Sequence, residues 1–186
     1  MDFYTDIKLL ADAESNINHV RGVAFERLHL ALVELESSTI GVSFPNFDNQ
    51  GELGALIRLH GNERDLTRIL SSKRISQMRD YILVSPVAEV PRATKYRTVR
   101  RAQSKSNPER LRRRLQKRHN LTKDEARERI PDTSASYLNL PFVAMRSSSS
   151  NQHFRLFVQH GPVVETPSAG RFNSYGLSSE ASVPWF

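Results

Sequence analysis

Hydrophobic and polar positions change their period several times along the chain, and each change predicts an element. Residues 3 to 10, Phe-Tyr-Thr-Asp-Ile-Lys-Leu-Leu, alternate in character and predict a strand. From Ile17 the spacing lengthens: Ile17, Val20, Ala24, Leu28, Ala31, Leu32 and Leu35 recur at three- and four-residue steps, one stripe of a long helix. Thr39 to Phe44 and Leu53 to His60 return to strand character, the first stopped by Pro45 and the two divided by an Asn/Asp/Gly loop. Asn62 can cap a helix to about Leu70, Ile75 to Met78 continues or follows it, and Tyr81 to Val84 supplies another strand. The order is βαββαβ, so residues 1–90 are expected to form a ferredoxin-like domain, an antiparallel sheet with two helices on one face. That fold hosts many functions and selects none of them.

Past Ser85-Pro86 and Val90-Pro91 the chain changes in kind, and residues 91–186 are expected to form a second region. Asn107-Pro108-Glu109 opens a helix with a capping side chain, a proline in the first turn and an acid near the positive end of the dipole. It should run to about His119. Thr122-Lys123-Asp124-Glu125 spells a capping box for a short helix that ends near Ile130, because Pro131 follows. Leu140 to Arg146 and His153 to His160 read as a β-hairpin around Ser147-Ser148-Ser149-Ser150-Asn151. The expected class is therefore α+β: a ferredoxin-like βαββαβ domain, then a C-terminal region with an arginine-rich helix, a β-hairpin and C-terminal strands.

Composition narrows the classes. The 186 residues suffice for one large domain or two small ones, and 38% apolar with 25% charged residues is the balance of a soluble globular chain. No window approaches the roughly eighteen apolar residues of a membrane span. The absence of cysteine excludes disulfides, zinc–thiolate sites, iron–sulfur clusters and a cysteine nucleophile. The opening Met1-Asp2-Phe3-Tyr4-Thr5-Asp6 lacks the basic and apolar runs of a leader, so a cytoplasmic location without a membrane partner is expected.

Charge changes the picture more. Between Pro91 and Asn120 stand nine Arg and three Lys against one acid, Glu109; that segment carries a net +11, leaving −4 elsewhere in a chain of net +7. So concentrated a field marks a polyanion-binding surface, since twelve unpartnered cations repel one another. On a wheel with Leu111 at zero, Leu115 falls at about 40° and Arg113, Lys117, Arg110 and Arg114 fall between about 200° and 300°. Arg118, at about 340°, lies beside the leucines. One apolar edge can dock the helix while four cations face a groove flanked by phosphates. Arginine forks suit phosphates and guanine edges bidentately, which fits nucleic acid without separating DNA from RNA.

Longer motifs separate them. Arg101-Ala102-Gln103-Ser104-Lys105-Ser106-Asn107-Pro108-Glu109-Arg110-Leu111-Arg112-Arg113-Arg114-Leu115, followed by Arg129-Ile130-Pro131-Asp132-Thr133, resembles the CRISPR repeat-processing endoribonuclease of type I-F systems. Gly41-Val42-Ser43-Phe44-Pro45, Gln152-His153-Phe154-Arg155-Leu156-Phe157, Tyr175-Gly176-Leu177-Ser178 and Val183-Pro184-Trp185-Phe186 extend the resemblance over both halves. It implies a protein that binds the repeat hairpin of the precursor CRISPR RNA and cuts at the base of the stem. It would then keep the mature CRISPR RNA within a surveillance complex of other type I-F subunits. It implies no metal and no cofactor: a ribose 2′-hydroxyl attacks the adjacent phosphate, leaving a 2′,3′-cyclic phosphate and a 5′-hydroxyl. By matching motif, His29 would be the general base, Ser147 would hold the ribose hydroxyl and Tyr175 would orient the histidine. Arg101 and Gln103, in a linker before the helix, would read the lowest stem bases. Arg113, Arg114, Lys117, Arg118 and His119 would line the groove beside Arg110, and Phe154 would stack at the stem base. Lys117 departs from the arginine expected there, a point charge in place of a fork.

The residues support this chemistry without selecting its members. Loss of a hydroxyl proton needs a base that is mostly neutral near pH 7, and imidazole, with a reference value of about 6.5, suits. His19, His29, His60, His119, His153 and His160 all qualify by type, and His29 lies about 100° from Leu28, at the border of its helix stripe. Within the serine run, Ser149 is the alternative to Ser147. Phe154 shares a strand face with Leu156 and Val158 and could equally belong to a core. There is no His-Glu-x-x-His pair, acidic cluster or glycine-rich phosphate loop, so a two-metal nuclease and an ATPase lack their signatures. A non-catalytic binder of structured RNA remains the alternative function.

Overall fold

The computed structural model describes residues 1–11, 16–48, 51–92, 94–103, 108–131, 138–147 and 151–186. Asn107, the expected cap, and Ser148, Ser149 and Ser150 lie outside the described residues. The elements are β1 (Phe3–Leu9), α1 (Ile17–Glu34), β2 (Gly41–Ser43), β3 (Leu56–Gly61), α2 (Glu63–Leu70), α3 (Lys73–Ser76), β4 (Ile82–Val84), β5 (Ala88–Glu89), β6 (Lys95–Ala102), α4 (Pro108–His119), α5 (Lys123–Arg129), β7 (Phe142–Arg146), β8 (His153–His160) and β9 (Ser182–Trp185). The chain forms two compact units, residues 1–102 with 140–186 and residues 103–139. The class is α+β.

The first unit carries two antiparallel sheets. One has the order β2-β3-β1-β4, with β5 also paired to β1. The other has the order β7-β8-β6-β9. In β1 the period of two is plain: Thr5, Ile7 and Leu9 are buried while Lys8 is exposed. β3 is instead buried from Ile57 to Gly61, because the chain terminus covers its second face. There Arg58 donates to both carboxylate oxygens of Asp6 at 2.7 and 2.9 Å and to the Phe186 carbonyl oxygen at 2.8 Å, with its cation over the Tyr4 and Phe186 rings. Helix α1 packs against β1 and against β7. Gly22 makes the second approach possible, since a β-carbon there would collide with the Ala144 carbonyl oxygen.

One element corrects the expected layout, and a second meets it. The segment holding Arg101 is not a linker: it is β6, paired with β8 on one side and β9 on the other. Arg and Lys occupy so many of its positions that only Val99 is buried, which hides the strand's alternation. β9 carries Pro184, tolerated because this strand lies at the sheet edge.

The second unit is the pair α4 and α5. Thr122 and Glu125 form the reciprocal capping box, Thr122 N–H donating to Glu125 Oε2 at 2.8 Å and Glu125 N–H to Thr122 Oγ1 at 3.3 Å. The residue that α4 buries is not one of the leucines of its apolar edge, which are only half-buried, but Arg112. It donates to the Ile130 carbonyl oxygen at 2.8 Å and to Glu109 Oε1 at 3.1 Å, closing the turn beyond α5 onto α4.

Candidate active site

Tyr175 is presented by a turn that its neighbours dictate. Asn173 Oδ1 accepts from the backbone N–H groups of Tyr175 at 2.9 Å and Leu177 at 3.2 Å, and the Asn173 carbonyl accepts from Gly176 N–H at 2.8 Å. Gly176 has φ +70°, and a β-carbon there would strike the Val42 side chain, so glycine is required on both counts. Its carbonyl accepts from Val42 N–H at 2.8 Å, which ties the turn to β2.

His29 reaches this turn from α1, half-buried beside the buried Phe25, Leu28 and Leu32. Its Nδ1 lies 2.7 Å from the Ser174 carbonyl oxygen. A carbonyl only accepts, so Nδ1 carries the proton and the neutral ring keeps its lone pair on Nε2. The imidazole stacks on the Tyr175 ring with centroids 4.1 Å apart and planes 14° apart, and Phe25 lies parallel to the same ring at 6.3 Å. The Arg101 guanidinium carbon is 5.5 Å from the Tyr175 centroid. His29, Tyr175 and Arg101, distant in sequence, thus share one stack.

Ser147 and Phe154 belong to the β7–β8 hairpin. Ser147, half-buried, donates its N–H to the Gln152 carbonyl and accepts at its own backbone carbonyl from Asn151 N–H, both at 2.8 Å. Phe154 is half-buried and packs against the core on the face that buries Leu156 and Val158. Phe25, legible in sequence only as part of the helix stripe, and the Ser174 carbonyl are the two site features without a role in the sequence analysis. The signal for Phe25 was its place one turn before His29; a backbone carbonyl leaves no residue signal.

Residues 4–186 match the family described as CRISPR-associated protein (Cas_Csy4). The chain belongs to the Csy4 family. It is 49% identical over 187 residues to a protein of Pseudomonas aeruginosa (strain UCBPP-PA14) named CRISPR-associated endonuclease Cas6/Csy4, covering all of both chains. It is 40% identical over 186 residues to the protein of that name from Escherichia coli (strain UTI89 / UPEC), again over the whole of both.

In this Csy4-family chain the histidines fall into distinct environments. His60 is fully buried, with Nε2 2.8 Å from Ser43 Oγ, and burial, aided by the Arg58 cation and the N-terminal amine, pushes its pKa down to about 3. Although a Ser–His pair by composition, it offers no surface to a substrate. His160 lies flat on Phe47, centroids 3.8 Å apart, and edge-on to Trp185; burial first and Arg97 second lower its pKa to about 4. His19, His119 and His153 are exposed. His29 alone among the described histidines pairs a held ring with an aromatic stack at the Tyr175 turn.

The predicted groove residues Arg110, Arg113, Arg114, Lys117, Arg118 and His119 are all exposed on α4, and Gln103 is an exposed residue after β6. Among the described residues, no three His, Asp or Glu side chains gather as metal ligands would, and no helix is long and apolar enough to cross a membrane.

Proposed function

We propose that this chain is a metal-independent endoribonuclease that binds the stem-loop of the CRISPR repeat transcript, cuts at the base of the stem and stays bound to the mature CRISPR RNA. Its further partners are the other subunits of the type I-F surveillance complex. Residues 1–90 serve as a ferredoxin-like βαββαβ platform for His29, and residues 91–186 supply the RNA contacts. The strand order β2-β3-β1-β4 supports the platform assignment.

The observation that carries this reading is the held imidazole, with Nδ1 on the Ser174 carbonyl and Nε2 left with its lone pair. Nε2 accepts the proton of a ribose 2′-hydroxyl as O2′ attacks the neighbouring phosphorus. The P–O5′ bond breaks, O5′ takes up a proton from the imidazolium or from water, and a 2′,3′-cyclic phosphate and a 5′-hydroxyl remain. Ser147 holds the 2′-hydroxyl, Tyr175 orients His29, and cations stabilise the crowded phosphorane. Arg101 and Gln103 read the lowest stem bases, Phe154 stacks beneath them, and Arg110, Arg113, Arg114, Lys117, Arg118 and His119 meet stem phosphates.

The test is a repeat hairpin incubated with the protein in EDTA. Cleavage at one site is expected, and a 2′-deoxy substitution at the nucleotide before that site should stop cleavage while binding persists. A need for magnesium, or cleavage of the deoxy substrate, would sink the mechanism. Tight binding of RNA that stays intact would identify a binder without catalysis.

A further inference from the structure

Strand β6 carries Arg97, Arg100 and Arg101, and the three are used differently. Arg97 donates through Nε and Nη2 to the Gly161 carbonyl and lies over Phe47 and Trp185, a packing role. Arg100 donates to Gln159 Oε1 at 2.9 Å. Arg101 is exposed, and its guanidinium carbon lies over the Tyr175 ring, 5.5 Å from the centroid. Its five N–H donors stay available at the edge of the plane while the charge rests against an aromatic ring.

That ring is the one on which His29 stacks. We propose that Arg101 is a positioning residue for His29, acting through Tyr175: the cation holds the tyrosine ring in the orientation that seats the imidazole. The inference rests on His29 being the general base. Occupation of the guanidinium edge by a stem base excludes water from the cation–aromatic contact, and the contact strengthens as its surroundings lose dielectric screening. Recognition of the base beside the cut thereby tightens the holder of the base catalyst. A hairpin with the wrong lowest pair binds through its phosphates but leaves Tyr175 less firmly held.

Two measurements on Arg101→Ala and Arg101→Lys test this. The first needs no RNA: the ring resonances of His29 in the free protein, displaced by stacking over Tyr175, should move toward their unstacked positions in Arg101→Ala and move less in Arg101→Lys. The second is single-turnover cleavage with protein saturating over RNA. Arg101→Ala should lose about tenfold in rate beyond its loss of affinity, the scale of one cation–aromatic contact. Arg101→Lys keeps a cation without the planar fork and should recover most of that rate while binding stays weakened. A wild-type saturated rate in Arg101→Ala overturns the assignment. So does a slowed rate with an unmoved His29 resonance, because Arg101 would then act on RNA alone. Failure to bind or cut any hairpin would remove the nuclease function instead, and the resonances of the free protein would still decide whether Arg101 seats His29.

Discussion

The stack at His29 and the exposed face of α4 hold their side chains by opposite means. In the stack the imidazole lies on the tyrosine ring with its Nδ1 on a carbonyl, and the turn beneath them rests on a glycine that tolerates no substitute. On α4 the cations stand exposed, and the one arginine buried there, Arg112, serves the helix pair. The difference matches two kinds of task. Moving one proton requires an atom held to a fraction of an ångström, whereas gripping a polyanion requires charge density and tolerates mobile side chains. Substitutions of His29 or Tyr175 should therefore change rate, and substitutions on the exposed face of α4 should change affinity.

The sharpest break in that contrast is His29→Ala. Removing a general base costs about 10²- to 10⁴-fold, so single-turnover cleavage should fall by that factor while hairpin affinity, read by filter binding, moves by less than about threefold. A variant that cuts at the wild-type rate would take His29 out of the mechanism. Next in size is the response to acid. His60 and His160 have folded values of about 3 and about 4, below the roughly 6.5 of an unfolded imidazole. As pH falls from about 6.5 the unfolded chain binds protons first, and stability present above that pH is lost toward the folded values. His60 alone should cost about 2 kcal/mol by pH 5, with a smaller share from the partly exposed His160. Urea denaturation at pH 7 and pH 5 measures this. Equal midpoints would mean that both rings accept protons without unfolding.

Smaller again is a test inside α4. Arg112→Ala leaves the Ile130 carbonyl without its donor and should lower the local stability of the helix pair by about 1.5 kcal/mol, roughly tenfold in amide protection. The exposed Arg114→Ala should shift it by less than about 0.5 kcal/mol. Equal loss of protection in both variants would erase the distinction between the pinned arginine and the exposed ones.

What could be read from the chain follows the same division. The first strand, α1, the α2 cap and the α5 capping box were legible because each rests on neighbours in sequence: alternation from Thr5 to Leu9, the stripe from Val20 to Leu32, and the bond from Asp65 N–H to Asn62 Oδ1 at 2.7 Å. The charge on α4 was legible for a related reason, since a field needs only density. β6 was not, because a strand whose flanks carry Arg97, Arg100 and Arg101 shows little hydrophobic period; its pairing with β8 and β9 comes from residues some sixty and ninety positions away. Nor could spacing choose among six histidines. What distinguishes His29 is a carbonyl and a ring supplied by the turn at residues 174 and 175, a contact spanning 145 positions.

The finest test concerns how many α4 cations meet phosphate. Each phosphate neutralised releases counterions, so the logarithm of affinity falls with the logarithm of salt by about 0.7 to 0.9 per contact, depending on whether the bound strand behaves as single or double. About five contacts give a slope of roughly −3.5 to −4.5 for the intact helix. Replacing Arg113 and Arg114 together by Ala should flatten that slope by about 1.4 to 1.8, while the saturated cleavage rate falls by less than about threefold. Neither residue belongs to the stack, and each stands on the exposed face of α4. A slope near zero in the intact protein would deny α4 its phosphate role. An unchanged slope in the double variant would move that role to other cations of the chain. A rate that fell with affinity would mean that grip and chemistry are coupled, and that the separation between field and fixed geometry does not hold at the stem.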